Sequence, residues 1–182
     1  MFEKHDEQLV AQALKGNKRA WMALVTRYEK SIYHYGLRMT GNPADAADLM
    51  QDIFVSVFRS LANYRGDGAF KGWLFRIAHF RCIEFYRKRK PEQSMDDVPE
   101  PECGRATPEG EVLNDSTSQS LLAAMQRLPL SQKAVVELKF FGQFTFDEIA
   151  DQMGLSPNTV KSRLYSALSR LKLDLEVEHA QA

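Results

Sequence analysis

Apolar side chains recur at helical spacing through most of the first ninety positions. Asp6–Leu14 reads as a short helix, closed by Gly16-Asn17. Trp21, Leu24, Val25, Tyr28, Ile32, Tyr35 and Met39 then form one stripe of a longer helix. Gly41-Asn42-Pro43 stops it, and the proline suits the first turn of the next helix. In that helix Ala46, Leu49, Met50, Ile53, Phe54, Val57, Phe58 and Leu61 repeat at i, i+3, i+4, i+7, with Asp45, Asp48, Asp52, Ser56 and Arg59 opposite. No strand-like alternation of useful length occurs, so the expected fold is all-α.

Phe70–Lys90, FKGWLFRIAHFRCIEFYRKRK, breaks the simple pattern. Its 21 residues hold six aromatic and seven basic side chains. On a helical wheel Phe70, Trp73, Leu74, Ile77, Ala78 and Phe85 gather on a core side. Phe75, His79, Cys82 and Tyr86 form a second stripe roughly opposite, with Arg76, Phe80 and Arg87 between. Aromatic rings beside cations suit single-stranded nucleic acid, because bases stack on the rings while the cations follow the phosphates. The competing reading packs the second stripe against the helix of residues 20–39. The glycine-bearing loop NYRGDGA and the basic run RKRK favour nucleic-acid contact for the segment as a whole.

The stretch TFDEIADQMGLSPNTVKSRLYSALSRLK carries the sharpest local signal. Thr145 and Glu148 make a T-x-x-E capping box. Gly154 suits a left-handed helix end, and Ser156-Pro157 opens the next helix. So short a turn forces the two helices to cross steeply, with Ile149, Ala150, Met153, Leu155, Val160 and Leu164 as the seam: a helix-turn-helix. The outer face of the second helix shows Lys161, Ser162, Tyr165 and Ser166, flanked by Arg163 and Arg170. No acidic residue interrupts it before Asp174, as a phosphate-facing helix requires.

Charge sharpens this division. The 182 residues carry 24 basic and 24 acidic side chains, but the cancellation is regional. Arg65–Lys90 has eight basic and two acidic residues, 91–117 has one and eight, and Ser156–Lys172 has four and none. Residues 91–117 also hold four of the seven prolines and few large apolar residues, so they read as an acidic flexible linker. Fully extended it would reach up to ~90 Å. The expected organisation is a domain over 1–90, a linker over 91–117, a second small helical domain over 118–175, and a tail over 176–182.

Other chemistry is poorly supported. Cys82 and Cys103 form no C-x-x-C pair, and the four histidines do not group near them, so neither a metal nor another cofactor is expected. Gly-rich phosphate loops and a nucleophile–base–orienter set are absent, which argues against an enzyme. Cys82 with His79 is the nearest candidate pair and lacks a third group. No run of about 18 apolar residues is present, and the N-terminus MFEKHDEQLV lacks an apolar signal core. A cytoplasmic protein without direct membrane insertion is expected.

DAADLMQDIFVSVFRSLANYRGDGAFKGWLFRIA resembles the DLVQETF and FRG-x-x-F-x-x-WL-x-RIA patterns of bacterial RNA polymerase sigma factors. LPLSQKAVVELKFFGQFTFDEIADQMGLSPNTVKSRLYSALSRLK resembles their C-terminal helix-turn-helix domain. The chain is thus similar to the two-domain extracytoplasmic-function (ECF) class of the sigma-70 family. The resemblance implies a sigma region 2 bundle over 1–90 and a region 4 domain over 118–175. It implies that Asp48, Leu49, Gln51 and Asp52 dock on a β′ coiled coil of core RNA polymerase, and that the β flap is a further contact. Tyr64, Arg65, Lys71, Trp73, Arg76, His79, Phe80 and Arg87 would recognise and melt a −10 promoter element. Asn158, Thr159, Lys161, Ser162, Arg163, Tyr165 and Ser166 would read a −35 element as duplex. An anti-sigma factor is an implied partner beside core polymerase and promoter DNA. The linker would thread through the polymerase cleft, with Asp96, Asp97, Glu100 and Glu102 supplying charge.

Phe80 departs from the family pattern. Many relatives have Asn at this point, where the polar side chain lines the approach to a flipped base. A phenyl ring stacks but cannot hydrogen-bond to a base edge, so an altered −10 preference is expected. A conventional helix-turn-helix regulator is the alternative reading. It accounts for residues 130–172 and leaves the aromatic-basic helix unexplained. It would bind duplex operators as a dimer without polymerase.

Overall fold

A computed structural model of the chain describes residues 5–89 and 116–181. Among them are eight α-helices and no strand: α1 (Asp6–Leu14), α2 (Lys18–Thr40), α3 (Pro43–Ser60), α4 (Phe70–Arg89), α5 (Ser116–Gln126), α6 (Leu130–Val136), α7 (Phe146–Met153) and α8 (Pro157–Gln181). A 3₁₀ turn, Leu61–Asn63, follows α3, and a π-helical turn, Glu137–Phe141, extends α6. Most of the linker expected over 91–117 lies outside the described residues, as does Cys103. Ser116 and Thr117 already belong to α5. The expected tail from 176 is instead continuous helix, because α8 runs unbroken to Gln181.

The helix ends follow the local chemistry of the sequence. The Asn17 side chain accepts the backbone N–H groups of Arg19 and Ala20, which opens α2. Asn42 does the same for Ala44 and Asp45 at the start of α3, with Pro43 in the first turn. Gly41 sits between them at φ +71, the left-handed conformation that glycine adopts without strain. Gly36 serves a different purpose. A Cβ there would lie 3.1 Å from the Ala46 carbonyl oxygen, so its absence lets α2 and α3 cross closely.

α1 to α4 form one bundle. Leu24, Ile32, Tyr35 and Met39 of α2 meet Leu49, Ile53 and Val57 of α3 and Leu74, Ala78 and Cys82 of α4, all buried. Two positions on α3 differ from the wheel. Phe58 is 61% exposed, its ring 5.1 Å from that of Trp21. Ser56 is buried, and its hydroxyl donates to the Asp52 carbonyl one turn back. Phe58 lies at the edge of the apolar arc, where the last turn of α3 leaves the bundle. Ser56 can enter the core because the helix's own backbone satisfies its hydroxyl.

α5 to α8 form the second unit. Leu138, Ile149, Val160, Leu164, Ala167 and Leu171 are buried together. The capping box is complete: Glu148 N–H donates to Thr145 Oγ1 at 3.2 Å, and Thr145 N–H donates to Glu148 Oε2 at 2.7 Å. Gly154 closes α7 at φ +67, and the Ser156 hydroxyl accepts from Thr159 N–H. In the seam Ile149, Ala150, Val160 and Leu164 are buried, while Met153 and Leu155 are half-buried. Removing the cap hydroxyl with Thr145→Ala should cost about 1 kcal/mol. Urea unfolding of the full chain followed by circular dichroism will read this as a lower midpoint for the helix-turn-helix phase.

Candidate nucleic-acid interface

α8 presents the expected outer face. Asn158, Lys161, Ser162, Tyr165 and Ser166 are exposed, and Tyr165 leaves 63% of its surface in solvent. Thr159 is half-buried and held at the N-terminus, its hydroxyl 2.8 Å from that of Ser156. Arg163 is also half-buried and turns toward α4, where it lines a cavity with Arg76, His79 and Phe80. The exposed positions make one polar and cationic surface with a protruding phenol, suited to phosphates and base edges in a major groove.

The loop before α4 is folded back on itself. The Tyr64 hydroxyl donates to the Gly68 carbonyl at 2.7 Å, and its ring lies 5.3 Å from Trp73 and 5.6 Å from Phe70. Gly66 and Gly68 take φ +76 and +152, which this tight reversal requires. Arg65 projects from the loop. On α4 itself Arg76 and Arg87 are exposed and Phe80 leaves 56% of its surface free. Trp73 is half-buried among the loop aromatics. A protruding phenyl ring between two guanidinium groups is the arrangement that base stacking beside a phosphate backbone needs.

The second aromatic stripe of α4 is core. Phase differences on the wheel do not reveal that α4 is covered from two sides. Phe75 meets Tyr35 of α2 edge-to-face at 5.8 Å and Phe144 of the second unit at 5.5 Å. Cys82 is fully buried, and burial pushes its thiol up to about 12, which leaves little thiolate. The Tyr86 hydroxyl donates to the Met39 carbonyl. His79, expected at the DNA surface, is only 6% exposed, and its Nδ1 is buried without a hydrogen-bond partner in the protein. Burial lowers its pKa to about 4, with help from the nearby Arg163 charge. Lys71, also expected at DNA, donates from Nζ to the Gly142 carbonyl at 2.8 Å.

On α3 the three polar docking candidates are exposed and the apolar one is not. Asp48, Gln51 and Asp52 are exposed along one stripe, continued by Val55 and Phe58. Leu49 is 1% exposed and belongs to the bundle core, because α3 turns that position onto α2. It cannot offer surface to a partner.

Sequence reasoning missed a set of polar residues between the two units. Arg38 Nε and Nη2 donate to Glu137 Oε2 and Oε1 at 2.6 and 2.8 Å, a bidentate pair. The Arg38 guanidinium also lies 3.9 Å from the centre of the Phe141 ring. Gln126 Nε2 donates to the Arg38 carbonyl at 2.6 Å, and Lys133 Nζ to the Met39 carbonyl at 3.1 Å. Lys133 and Glu137 are each 1% exposed. Burial lowers the Lys133 ammonium to about 8; burial raises the Glu137 carboxyl, with Arg38 opposing. The signal was present as two charges, i and i+4, in the apolar run of α6 and the turn that extends it. Charges there mark either a solvated edge or a buried contact, and periodicity alone does not distinguish them.

A bundle with an exposed acidic stripe and an aromatic-basic helix, joined on one chain to a helix-turn-helix, defines a class: a two-domain transcription-initiation subunit. The comparisons agree. The Sigma-70 region 2 family model matches residues 24–92, and the Sigma-70, region 4 model matches residues 118–171. RNA polymerase sigma-H factor of Pseudomonas aeruginosa is 31% identical, over 92% of this chain and 92% of the relative. The ECF RNA polymerase sigma-E factor of Escherichia coli K12 is 30% identical, over 89% of this chain and 90% of the relative. The solved structure of CnrH in complex with the cytosolic domain of CnrY is similar with a TM-score of 0.66 at 26% identity, covering 94% of this chain and 97% of the solved one. The chain belongs to the sigma-70 family of RNA polymerase sigma factors, in its ECF class.

His79 makes stability depend on pH. Its folded pKa of about 4 lies below the ordinary 6.5, so the unfolded chain binds more protons between those values. Stability therefore rises with pH across that window and is lost as pH falls through it. Urea midpoints measured from pH 7 to 4.5 should fall, and His79→Gln should flatten the fall. An equal slope in the variant would show that His79 does not titrate as its burial requires.

Proposed function

We propose that this chain binds core RNA polymerase and directs initiation at promoters with paired −35 and −10 elements. The observation that carries the reading is the conjunction, on one chain, of both sigma regions with three chemically distinct exposed faces. Asp48, Gln51 and Asp52 on α3 suit docking on a basic coiled coil of the β′ subunit. Asn158, Lys161, Ser162, Tyr165 and Ser166 on α8 suit the −35 duplex, with Thr159 and Arg163 at the edge of that face. Arg65, Arg76, Phe80 and Arg87, with Trp73 and Tyr64 behind them, suit an opened −10 strand. Lys71 and His79 join that surface only when the second unit moves away from α4. The β flap is the proposed second contact on polymerase. The chain selects and opens promoters, and the polymerase performs the phosphoryl transfer.

An anti-sigma factor is a further proposed partner. The neighbour CnrH was solved holding the cytosolic domain of a second protein. Among the described residues no helix of this chain is long and apolar enough to cross a membrane.

Purified bacterial core polymerase, with and without the chain, on a randomised promoter library tests the reading. Discrete starts with shared paired upstream elements should appear only when the chain is added. No specific initiation, together with footprints on duplex DNA by the chain alone, would favour a conventional regulator. On the promoters recovered, the Asp48→Lys/Asp52→Lys pair should lower core affinity at least tenfold in a competition assay, as like charges replace opposite ones across the interface. Phe80→Asn should re-rank −10 sequences in the same library while initiation persists. Identical rankings would remove Phe80 from base selection.

A further inference from the structure

The side of α4 that carries Arg76 and Phe80 does not face open solvent alone. α7 and the start of α8 lie across it and enclose a cavity of about 680 Å³, a size usual for small-molecule sites. Its walls come from both units. α4 gives Arg76, His79, Phe80 and Arg81, and the second unit gives Gln152 and Arg163.

Two features of this lining point to a ligand. The first is uncompensated positive charge. Arg76 and Arg163 join no ion pair among the described residues, whereas Arg38, Arg81 and Arg89 each hold a carboxylate. The one acidic residue in the lining is Asp151, and it is exposed. Two guanidinium groups brought to one enclosed space repel each other unless an anion lies between them. A phosphate monoester carries a charge of about −1.5 to −2 at pH 7, which matches the pair. Its oxygens also accept the forked N–H groups that a guanidinium presents.

The second feature is unmet hydrogen bonding. His79 Nδ1, Arg81 Nε and Gln152 Oε1 are buried without a partner in the protein, and all three side chains line this cavity. They are half of the six such atoms among the described residues. Buried polar atoms are nearly always bonded, so a cluster of exceptions marks a place that something else completes. The Gln152 amide turns about a soft terminal torsion, so Oε1 reaches the cavity without a backbone change. Gln152 Oε1 accepts, and His79 Nδ1 donates or accepts according to its tautomer. Together they suit the edge of a nucleobase, which offers both kinds of group. Phe80 beside them leaves 56% of its surface free, enough for a base to stack.

We propose that the free chain binds a nucleoside monophosphate between α4 and α8: Arg76 and Arg163 hold the phosphate from two sides, the base stacks on Phe80, and Gln152 and His79 meet its edge. The contacts come from both units, so the site exists only in the arrangement seen here. Arg76 and Phe80 also belong to the proposed −10 surface, so a bound nucleotide excludes an opened strand. That exclusion rests on the promoter reading above; the binding itself does not.

Isothermal titration of the full free chain with AMP, GMP, CMP and UMP tests the site, with inorganic phosphate and the four nucleosides as half-ligand controls. At least one nucleotide should bind at least about tenfold more tightly than inorganic phosphate and than its own nucleoside. Gln152→Glu keeps the side-chain shape, sets a carboxylate against the ligand, and should weaken that nucleotide at least about tenfold. Arg76→Ala and Arg163→Ala, confirmed as folded by circular dichroism, should each do the same. The nucleotide should raise the thermal midpoint of the unmodified chain and leave that of the Gln152→Glu chain in place. Four nucleotides no tighter than inorganic phosphate would overturn the proposal. A loss with Arg76→Ala and none with Arg163→Ala or Gln152→Glu would put the nucleotide on α4 alone and overturn the two-sided site. The nucleotide should also displace a labelled pool of random single-stranded 12-mers in an anisotropy assay; binding without displacement would overturn the exclusion. Absence of library initiation with core would sink the sigma reading and leave the titration result intact.

Discussion

Glu137 sits in the interior with almost none of its surface in water, and the Arg38 guanidinium makes that burial tolerable. A buried carboxylate without a cation would lose several kcal/mol of hydration, or take up a proton and lose its charge. Two parallel N–H···O bonds fix the guanidinium in the carboxylate plane, so the pair sets orientation as well as energy. The pair joins the last turn of α2 to the π-helical turn after α6. With both ends held, Lys133 and Gln126 meet the open carbonyls of α2, and α7 is carried over α4. The placement of one unit on the other follows from where this one ion pair can form.

Helix α4 shows the consequence for the first bundle. Most amphipathic helices bury one arc and expose the rest. α4 is covered by α2 and α3 on one side and by α7 on another, so apolar residues surround much of its circumference. Phe75 touches a tyrosine of its own unit and a phenylalanine of the other. This is why its aromatic stripes resisted assignment from spacing. The pattern could show that there were two, but not which neighbour covered each. What stays exposed is a band of Arg76, Phe80 and Arg87 and the basic end Lys88-Arg89, and that surface has the chemistry the sequence suggested for the whole segment.

The features legible in the sequence were those that depend on a few consecutive residues. Asn42-Pro43, Thr145 with Glu148, Gly154 and Ser156 each set a local backbone geometry through hydrogen bonds or permitted dihedrals, and each stands where expected. The exposed faces of α3 and α8 were legible too, because charge and solvent coincide there. Leu49 was read two ways: its spacing put it on the apolar stripe, where it lies, while the resemblance put it in the docking set, one step around the helix from Asp48. The contacts of Arg38, Lys133 and Glu137 span about a hundred positions along the chain. No local pattern encodes a partner so distant, and a charge in an apolar run reads the same before its counter-ion is known.

The composition of this interface also sets how it can come apart. A surface joined by leucine and isoleucine would expose apolar area on opening and resist separation. Here both kinds of contact are present: Arg38 on Glu137, Lys71, Lys133 and Gln126 on backbone carbonyls, and the ring pair Phe75 and Phe144 beside buried apolar residues of both units that form one core. On separation the carbonyls of Arg38, Met39 and Gly142 regain water, and the ammonium groups of Lys71 and Lys133 regain full hydration. Hydrogen bonds from charged donors such as these are worth about 1.5–3 kcal/mol each against water. The buried pair supplies most of the directional hold, and it too dissolves into two well-hydrated ions once water enters. An interface of this kind takes its geometry from the polar contacts and much of its free energy from the shared apolar core.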